Sequence, residues 1–363
     1  MRKKFVQPPE GTVVEEGITA AELRLAARNH GLPLEALRYP ITPVGLHYLL
    51  IHYDIPPVDA AVFRLEIAGA VERPLSLGLE ELQERERVAM PITFECAGNG
   101  RALLRPRPLS QPWLTEAVGT AEWGGTPLAP LLAEAGVRSS AVEVLFTGLD
   151  RGVEGGSPQA YERSLPLAEA EHALVAYEMN GAPLPPQHGF PLRLVVPGWY
   201  GMTNVKWLSR VTLLEQPFEG FQNAVAYRMY DAEGEPGDSL TRMLPRSLMA
   251  PPGVPDFMTR DRHLEPGPMA LTGRAWSGYG AIERVEVSTD AGASFADAEL
   301  DEPLGDAAWR GWHFDWDAPP GEHVLCSRAT DAAGNVQPLE AAWNLKGYAN
   351  NAVERIPVVV AAA

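Results

Sequence analysis

The sequence predicts an α+β domain followed by an all-β sandwich of the immunoglobulin-like type. Up to about residue 245, a short helical pattern is combined with strand-like apolar runs. Beyond that point, apolar and polar residues alternate in short segments, which are separated by turns that contain glycine or proline. A chain of 363 residues also exceeds what one compact core usually holds. We therefore predict two domains, 1–245 and 246–363.

Local patterns predict the elements of the first domain in order. The apolar residues between 20 and 29 predict a short helix, and alternation at 63–67 predicts a half-buried strand. Ile92 and Phe94 then lead into a turn at Cys96. A second helix is predicted at 127–135, opened by proline and ended by Gly136. The continuously apolar runs 142–146 and 192–196 are typical of interior strands.

The second domain is predicted from alternating strands and the turns between them. Strand-like alternation covers 285–288, 312–316 and 324–328, and turn sequences stand at 290–292, 319–321 and 331–335. Trp309, Trp312 and Trp316 are expected to pack in the core of the sandwich rather than at an interface. The proline- and glycine-rich stretch 231–268 is expected to be a linker.

Composition excludes several classes of protein. A formal charge of −17 argues against nucleic acid as a partner, because phosphate contacts need clustered cations. No apolar stretch is long enough for a transmembrane helix. The first residues, Met1–Glu10, lack the apolar segment of a secretory signal, so we expect a cytoplasmic protein, or a periplasmic one if a leader has been removed. Two distant cysteines do not make a disulfide framework.

The segment Glu95–Arg101 carries the strongest chemical signal in the chain. It presents the thiol of Cys96 on a glycine-rich turn, with the cation of Arg101 five residues later. A thiolate is a soft ligand for a transition metal, and turn amides with an arginine suit a neighbouring anion. A lone cysteine is more often a small buried hydrophobe, so the surrounding sequence decides between the two interpretations.

That surrounding sequence resembles the sulfite oxidase family of molybdopterin enzymes. Five collinear segments carry the resemblance, which extends over residues 42 to 363: 95–101, 185–198, 205–208, 343–347 and 351–352. The resemblance implies a sulfite oxidase-like fold for the first domain. It also implies that the immunoglobulin-like domain forms a twofold homodimer.

The resemblance further implies a molybdenum cofactor, molybdopterin, whose pyranopterin dithiolene chelates the metal. Cys96 matches the residue whose thiolate binds molybdenum. The family pattern also supplies candidates for binding the pterin and its phosphate, and the amides of Asn204 and Val205 are expected to face that phosphate. The full set of cofactor-binding candidates is His52, Cys96, Asp150, His188, Arg193, Asn204, Val205 and Lys206.

Four residues stand at positions that the resemblance assigns to the substrate pocket: Arg101, Trp113, Tyr227 and Lys346. Two positions depart from the usual pattern. Leu50 stands where the family has an arginine two residues before the pterin histidine, and Lys346 replaces an arginine near the C-terminus. Lysine keeps the charge but loses the bidentate fork. Oxyanion affinity should therefore fall unless another cation compensates, and the candidates are Arg105, Arg107 and Arg228.

The predicted reaction is oxygen-atom transfer, most simply the oxidation of sulfite to sulfate. The chain has no Cys-x-x-Cys-His haem motif, so a separate electron acceptor such as a cytochrome is expected. One alternative within the cofactor class is reduction of a sulfoxide, nitrate or another oxo compound. Other classes remain open: a thiol hydrolase that uses Cys96 with His188 and Asp150, or a catalytically silent interaction protein.

Overall fold

The computed structural model describes residues 13–14 and 17–362. The chain forms two compact units, and each contains segments that are distant in sequence. The inserted unit comprises Leu49–Phe94 and Ala121–Thr241. The terminal unit comprises Met1–Tyr48, Glu95–Thr120 and Arg242–Ala363. The division into domains at residue 245 stays a prediction.

The described residues form mainly β-structure. The strands are β1 Val13–Val14, β2 Leu65–Gly69, β3 Leu75–Leu77, β4 Val88–Glu95, β5 Arg107–Pro108, β6 Val118–Pro127, β7 Glu143–Glu154, β8 Ser157–Pro166, β9 Leu174–Met179, β10 Ala182–Pro183, β11 Arg193–Val195, β12 Leu208–Leu214, β13 Arg228–Tyr230, β14 Pro236–Ser239, β15 Arg246–Met249, β16 Val254–Pro255, β17 Arg262–Leu264, β18 Gly267–Trp276, β19 Ile282–Ser288, β20 Ala296–Asp297, β21 Glu299–Leu300, β22 Arg310–Ala318, β23 Gly321–Asp331 and β24 Ile356–Val360.

The helices are short, and their ends follow local capping rules. The α-helices are α1 Ala20–Ala26, α2 Leu79–Gln83, α3 Leu128–Ala135 and α4 Leu167–Ala170. Thr19 and Glu22 form a capping box at the start of α1. Gly136 ends α3 in the left-handed conformation with φ 70°, as the sequence predicts. Within the described residues, no helix has the length and hydropathy to cross a bilayer.

Single turns of 3₁₀ helix and one π-helical turn connect these elements. The 3₁₀ turns are Leu34–Arg38, Val44–Leu46, Arg101–Leu103, Pro186–His188 and Gly201–Thr203, and the π-helical turn is Gln222–Ala226. Two of them carry predicted site residues, Arg101 and His188. The π-helical turn directly precedes Tyr227.

Two five-stranded sheets organise the inserted unit. One has the order β10-β9-β6-β4, with β11 also paired to β9. The other has the order β3-β2-β12-β7-β8, in which β12 runs parallel to β2 and antiparallel to β7. The predicted strands at 63–67, 142–146 and 192–196 correspond to β2, β7 and β11. The α+β prediction is confirmed.

The terminal unit contains an all-β sandwich, as predicted. Its two sheets have the orders β15-β18-β22-β21 and β16-β17-β24-β23-β19-β20. Side chains from both sheets share one core, in which Trp312 and Leu271 meet Val285 and Leu325. Trp309 is buried as well, and its indole donates to the carbonyl of Pro40 at 2.7 Å.

The stretch 231–268 is not the linker that its composition suggests. It contains β14, β15, β16 and β17, and all four residues of β15 are buried. β15 pairs with β18 over its whole length. Proline and glycine mark the turns between short strands here, because each turn needs a fixed or a permissive backbone.

Candidate functional site

The terminal unit carries Cys96 on a tight turn that directly follows β4. The Cys96 amide donates to the carbonyl of Ala117 at 2.9 Å, and the Asn99 amide donates to the carbonyl of Cys96 at 2.9 Å. Gly100 has φ 88°, a conformation that favours glycine. The Cys96 side chain is half-buried. The turn therefore fixes one partly accessible thiol directly after β4, whose last four residues are buried.

The surroundings of the thiol act on its pKa in opposite directions. Burial raises the pKa of Cys96, whereas the Arg101 cation, the Gly98 amide and the Trp113 indole lower it. Trp113 is buried, and its N–H has no oxygen or nitrogen partner among the described residues. A metal that binds the sulfur would add a further positive charge and favour the thiolate.

Arg101 is held rigidly beside this thiol. Its Nε donates to the carbonyl of Lys346 at 2.7 Å, and its Nη1 donates to the carbonyl of Gln111 at 3.0 Å. Its guanidinium also lies 5.0 Å from the ring centre of Tyr348. The terminal unit thus brings Cys96, Arg101, Trp113 and the Lys346 backbone together. These residues come from two of its segments, Glu95–Thr120 and Arg242–Ala363.

The inserted unit groups the predicted pterin residues around His52. His52 Nε2 is hydrogen-bonded to the hydroxyl of Tyr227, and the ring of Tyr161 lies 4.7 Å away. Burial, with a smaller contribution from the Lys206 cation, lowers the pKa of His52 from 6.5 to about 3. The imidazole is therefore neutral at pH 7.

Asp150 is a buried carboxylate in the same unit. Its Oδ1 has no hydrogen-bond partner among the described residues. Burial raises the pKa of Asp150 from 3.8 to about 6, against the opposing effect of Lys206. The Lys206 amine donates to the carbonyls of Leu50 at 2.7 Å and Gln187 at 3.3 Å. Lys206 thus provides a cation, and Asp150 provides a hydrogen-bond acceptor with a raised pKa.

The backbone directly after His188 approaches Lys206 closely at Gly189. His188 is buried at the end of a 3₁₀ turn, and the following Gly189 has φ 112°. A Cβ at Gly189 would lie 3.1 Å from the Cβ of Lys206. Only glycine allows this approach without displacement.

Arg193 and the turn before Lys206 have visible structural contacts. Arg193 donates to the carbonyl of His188 at 3.2 Å and packs on the rings of Phe94 and Trp123. The amides of Asn204 and Val205 donate to the carbonyls of Gly201 and Thr203. These two amides are thus hydrogen-bonded within the turn. The sequence had led us to expect that they face the phosphate of the cofactor. The Asn204 side chain accepts from the Val196 amide at 2.6 Å.

The three cations proposed to compensate for Leu50 are engaged elsewhere. Arg107 forms a buried ion pair with Glu22. Arg228 donates to the carbonyl of Gly237, and Arg105 donates to the carbonyls of Ala102 and Leu104. The charge of Arg107 is neutralised by its carboxylate partner. In these contacts, none of the three arginines takes the place of the arginine that the family has at position 50.

Sequence reasoning missed a buried arginine next to Tyr227. Arg163 lies on β8, its Nη1 donates to the carbonyl of Gln222 at 2.7 Å, and its guanidinium is 5.5 Å from the Tyr227 ring centre. It is 2% exposed, which is rare for arginine. The only signal in the sequence was a charged residue inside an otherwise strand-like run.

Two family models match the chain. The oxidoreductase molybdopterin binding domain matches residues 52–222, and the Mo-co oxidoreductase dimerisation domain matches residues 246–361. The mitochondrial sulfite oxidase of Homo sapiens is 36% identical over 349 residues, which cover 88% of this chain and 62% of that protein. The chain belongs to the sulfite oxidase family of molybdopterin oxidoreductases. It spans about 62% of the length of this relative.

Two further similar proteins extend the comparison. A nitrate reductase of Brassica napus is 30% identical, with 87% of this chain and 38% of that protein covered. The crystal structure of the sulfane dehydrogenase SoxCD from Paracoccus pantotrophus superimposes with a TM-score of 0.79 at 29% identity, covering 92% of this chain and 86% of that one. The sulfite oxidase-like fold is confirmed.

The residues present fit the molybdenum–molybdopterin cofactor of this family. Cys96 offers one soft sulfur ligand, and no cluster of three His, Cys, Asp or Glu side chains suited to a metal occurs among the described residues. A metal held by one protein ligand needs a chelating cofactor for the rest of its coordination. In the inserted unit, Asp150 Oδ1 is a buried acceptor that lacks a partner, as a polar pterin edge requires.

Proposed function

We propose that this protein is a molybdenum-dependent oxidoreductase that transfers an oxygen atom to a sulfur substrate, with sulfite as the first candidate. The observation that carries the proposal is the half-buried thiol of Cys96, with the cation of Arg101 and the indole N–H of Trp113 beside it. Family membership supports the cofactor, and the identity to sulfite oxidases supports the substrate class.

When bound, the cofactor supplies a two-electron redox couple and the oxygen atom that is transferred. The chain's own residues supply binding and electrostatics. Cys96 binds the metal as a thiolate, and Arg101 holds a positive charge close to it. Lys206 and Asp150 offer a cation and an acceptor for the polar parts of the pterin. Tyr227, which is hydrogen-bonded to neutral His52, carries a hydroxyl that can donate to an oxyanion.

A second candidate substrate is a sulfane sulfur compound. Leu50 favours it, because a leucine at this position offers no cation for the oxyanion of sulfite, and Arg107 is paired with Glu22. The fold match to a protein described as a sulfane dehydrogenase supports the same substrate class. Nitrate reduction has weaker support, since the nitrate reductase is 30% identical and the sulfite oxidase 36%.

We also propose a homodimer and a separate electron acceptor. The dimerisation-domain match over residues 246–361 supports the dimer. The two cysteines of these 363 residues cannot form a Cys-x-x-Cys-His haem site. Light scattering after size exclusion tests the first proposal, since a mass of one chain would contradict it. Reduction of an added cytochrome c tests the proposal of a separate electron acceptor.

The deciding experiment measures molybdenum and substrate-dependent reduction of ferricyanide in the same preparation. We expect about one molybdenum per chain in the wild type and an activity with sulfite or with a sulfane compound that carries no sulfur oxyanion, such as a cysteine persulfide. Cys96→Ser should lower that activity at least about a hundredfold, because a hydroxyl is a poor substitute for a soft thiolate. Molybdenum-free protein with an alkylation-sensitive hydrolase activity would contradict the proposal.

A further inference from the structure

A buried carboxylate stands directly before Cys96 and accepts three hydrogen bonds. Glu95 Oε1 accepts from Arg246 Nη1 at 2.8 Å and from Asn99 Nδ2 at 3.0 Å, and its Oε2 accepts from the indole of Trp276 at 3.0 Å. The side chains of Glu95 and Arg246 are 3% and 1% exposed. Each of these hydrogen bonds is strengthened by the charge of the carboxylate and by its burial.

Two of these donors belong to the C-terminal part of the chain. Arg246 is the first residue of β15, and Trp276 is the last residue of β18. Arg246 also donates to the carbonyl of Asn350 at 3.0 Å, and the Asn350 amide group donates to the carbonyl of Gly100 at 2.8 Å. The Glu95 side chain is therefore hydrogen-bonded to both β15 and β18. Gly100, at the far end of the turn, is hydrogen-bonded to Asn350.

The third donor, Asn99, connects the carboxylate to the inner side of the turn. Its Nδ2 also donates to the carbonyl of Thr115 at 3.1 Å, and its Oδ1 accepts from the Ala117 amide at 3.0 Å. Ala117 in turn accepts from the Cys96 amide. Glu95 and Asn99 thus flank Cys96 and are hydrogen-bonded to each other, which leaves the intervening backbone little freedom.

We propose that Glu95 is a positioning residue for the Cys96 sulfur, and that Arg246 and Trp276 make the sandwich domain part of the metal-binding structure. The carboxylate sets the direction of the strand end, and the two donors hold it against the sandwich. The proposal rests on the proposed function, because it takes Cys96 as the metal ligand. It adds a role for residues 246–361 besides dimerisation.

A glutamine at position 95 separates positioning from packing. Glu95→Gln keeps the shape but replaces one acceptor oxygen by an amide donor, which then faces either Arg246 or Trp276. Trp276→Phe removes a single donor and keeps an aromatic ring, so it is the milder variant. Glu286→Gln is the matched control, because Glu286 is a buried carboxylate that accepts from Arg328 at 3.0 Å elsewhere in the sandwich.

The first readout is the metal environment of the loaded protein. X-ray absorption at the molybdenum edge counts sulfur ligands, and we expect one fewer in Glu95→Gln than in the wild type or in Glu286→Gln. Trp276→Phe should keep the count and shift the electron paramagnetic resonance of the half-reduced metal. Wild-type spectra in both Glu95→Gln and Trp276→Phe would overturn the proposal. If Glu95→Gln fails to fold, the spectrum of Trp276→Phe decides alone.

The second readout does not need the cofactor. In the full chain with Cys326→Ser, Cys96 is the sole thiol, and its rate of alkylation reports how firmly the turn holds it. We expect Glu95→Gln to raise this rate about tenfold and Glu286→Gln to leave it unchanged; equal rates in all three proteins would overturn the proposal. A wild type that binds no molybdenum would refute the proposed function, whereas unchanged Glu95→Gln in a loaded wild type refutes only the positioning role.

Discussion

At the scale of single residues, the chemistry of this chain depends on charges placed in water-poor surroundings. His52 is neutral because burial and Lys206 both oppose its proton, and Asp150 keeps a high pKa because burial outweighs the attraction of the same cation. One lysine therefore acts on both groups in the same direction, towards the form without the proton. Burial supplies the larger effect on each of them.

Asp150 makes the stability of the cofactor-free chain depend on pH. Its folded pKa of about 6 lies above its ordinary 3.8, so the folded state binds the proton more tightly. The contribution of this group to the free energy of unfolding should fall by on the order of 3 kcal/mol as the pH rises from about 4 to 6, whereas the lowered pKa of His52 acts in the opposite direction in both proteins. Asp150→Asn should lack this fall. Urea unfolding of both proteins across pH 4 to 7 tests this difference. If the free energies of unfolding of the two proteins change with pH in parallel, the raised pKa of Asp150 is wrong.

Leu50 is predicted to limit the affinity for sulfite. Leu50→Arg adds a cation at the position where the resemblance places an arginine, and a charged hydrogen bond contributes about 1.5 kcal/mol or more. The KM for sulfite should therefore fall roughly tenfold, while Leu50→Met should leave it unchanged. Steady-state assays with both variants measure this. An unchanged KM in Leu50→Arg would show that this side chain does not reach the substrate.

At the scale of elements, short turns position the site more than helices do. The Cys96 turn, the 3₁₀ turn at His188 and the π-helical turn before Tyr227 each follow or precede a strand. Each of the strands beside these turns is hydrogen-bonded to a neighbouring strand, so a turn at its end starts from a fixed position. Positive φ angles at Gly100 and Gly189 let these turns close tightly.

Gly189 provides a test of this close packing. Gly189→Ala combines a left-handed φ of 112° with a Cβ 3.1 Å from the Cβ of Lys206, so we expect a loss of about 3 kcal/mol in unfolding free energy. Gly181→Ala is the control, because Gly181 has φ 74° and nothing within 4 Å of its added Cβ. It should cost about 1 kcal/mol. Equal losses in urea unfolding would show that the approach to Lys206 relaxes easily.

At the scale of the whole molecule, the negative charge should steer the choice of electron acceptor. A formal charge of −17 attracts cations and repels anions over roughly a Debye length. The kcat/KM for a basic cytochrome c should fall severalfold as salt rises from about 20 to 200 mM, and that for ferricyanide should rise. Stopped-flow rates at both salt concentrations measure this. The opposite trends would point to a local positive surface that dominates the encounter.

The sequence predicted the parts of this structure that depend on local chemistry. Helix α3 ends at Gly136 because a left-handed residue is needed there, and the sandwich strands follow their alternation. The composition of 231–268 led to the wrong prediction of a linker, because proline and glycine are common between short strands as well as in linkers. The pairing of Arg107 with Glu22 was also beyond reach, since the two residues are 85 positions apart.

By itself, the sequence determined the family, the cofactor and the identity of the candidate ligand, because motifs with one thiol and fixed spacing carry that information locally. Only the tertiary structure decided which charges are neutralised, which amides are already used, and that Arg246 and Trp276 hold the residue before Cys96. The reason is physical. Burial and hydrogen bonding depend on residues that folding brings together from distant segments, and no local pattern records those partners.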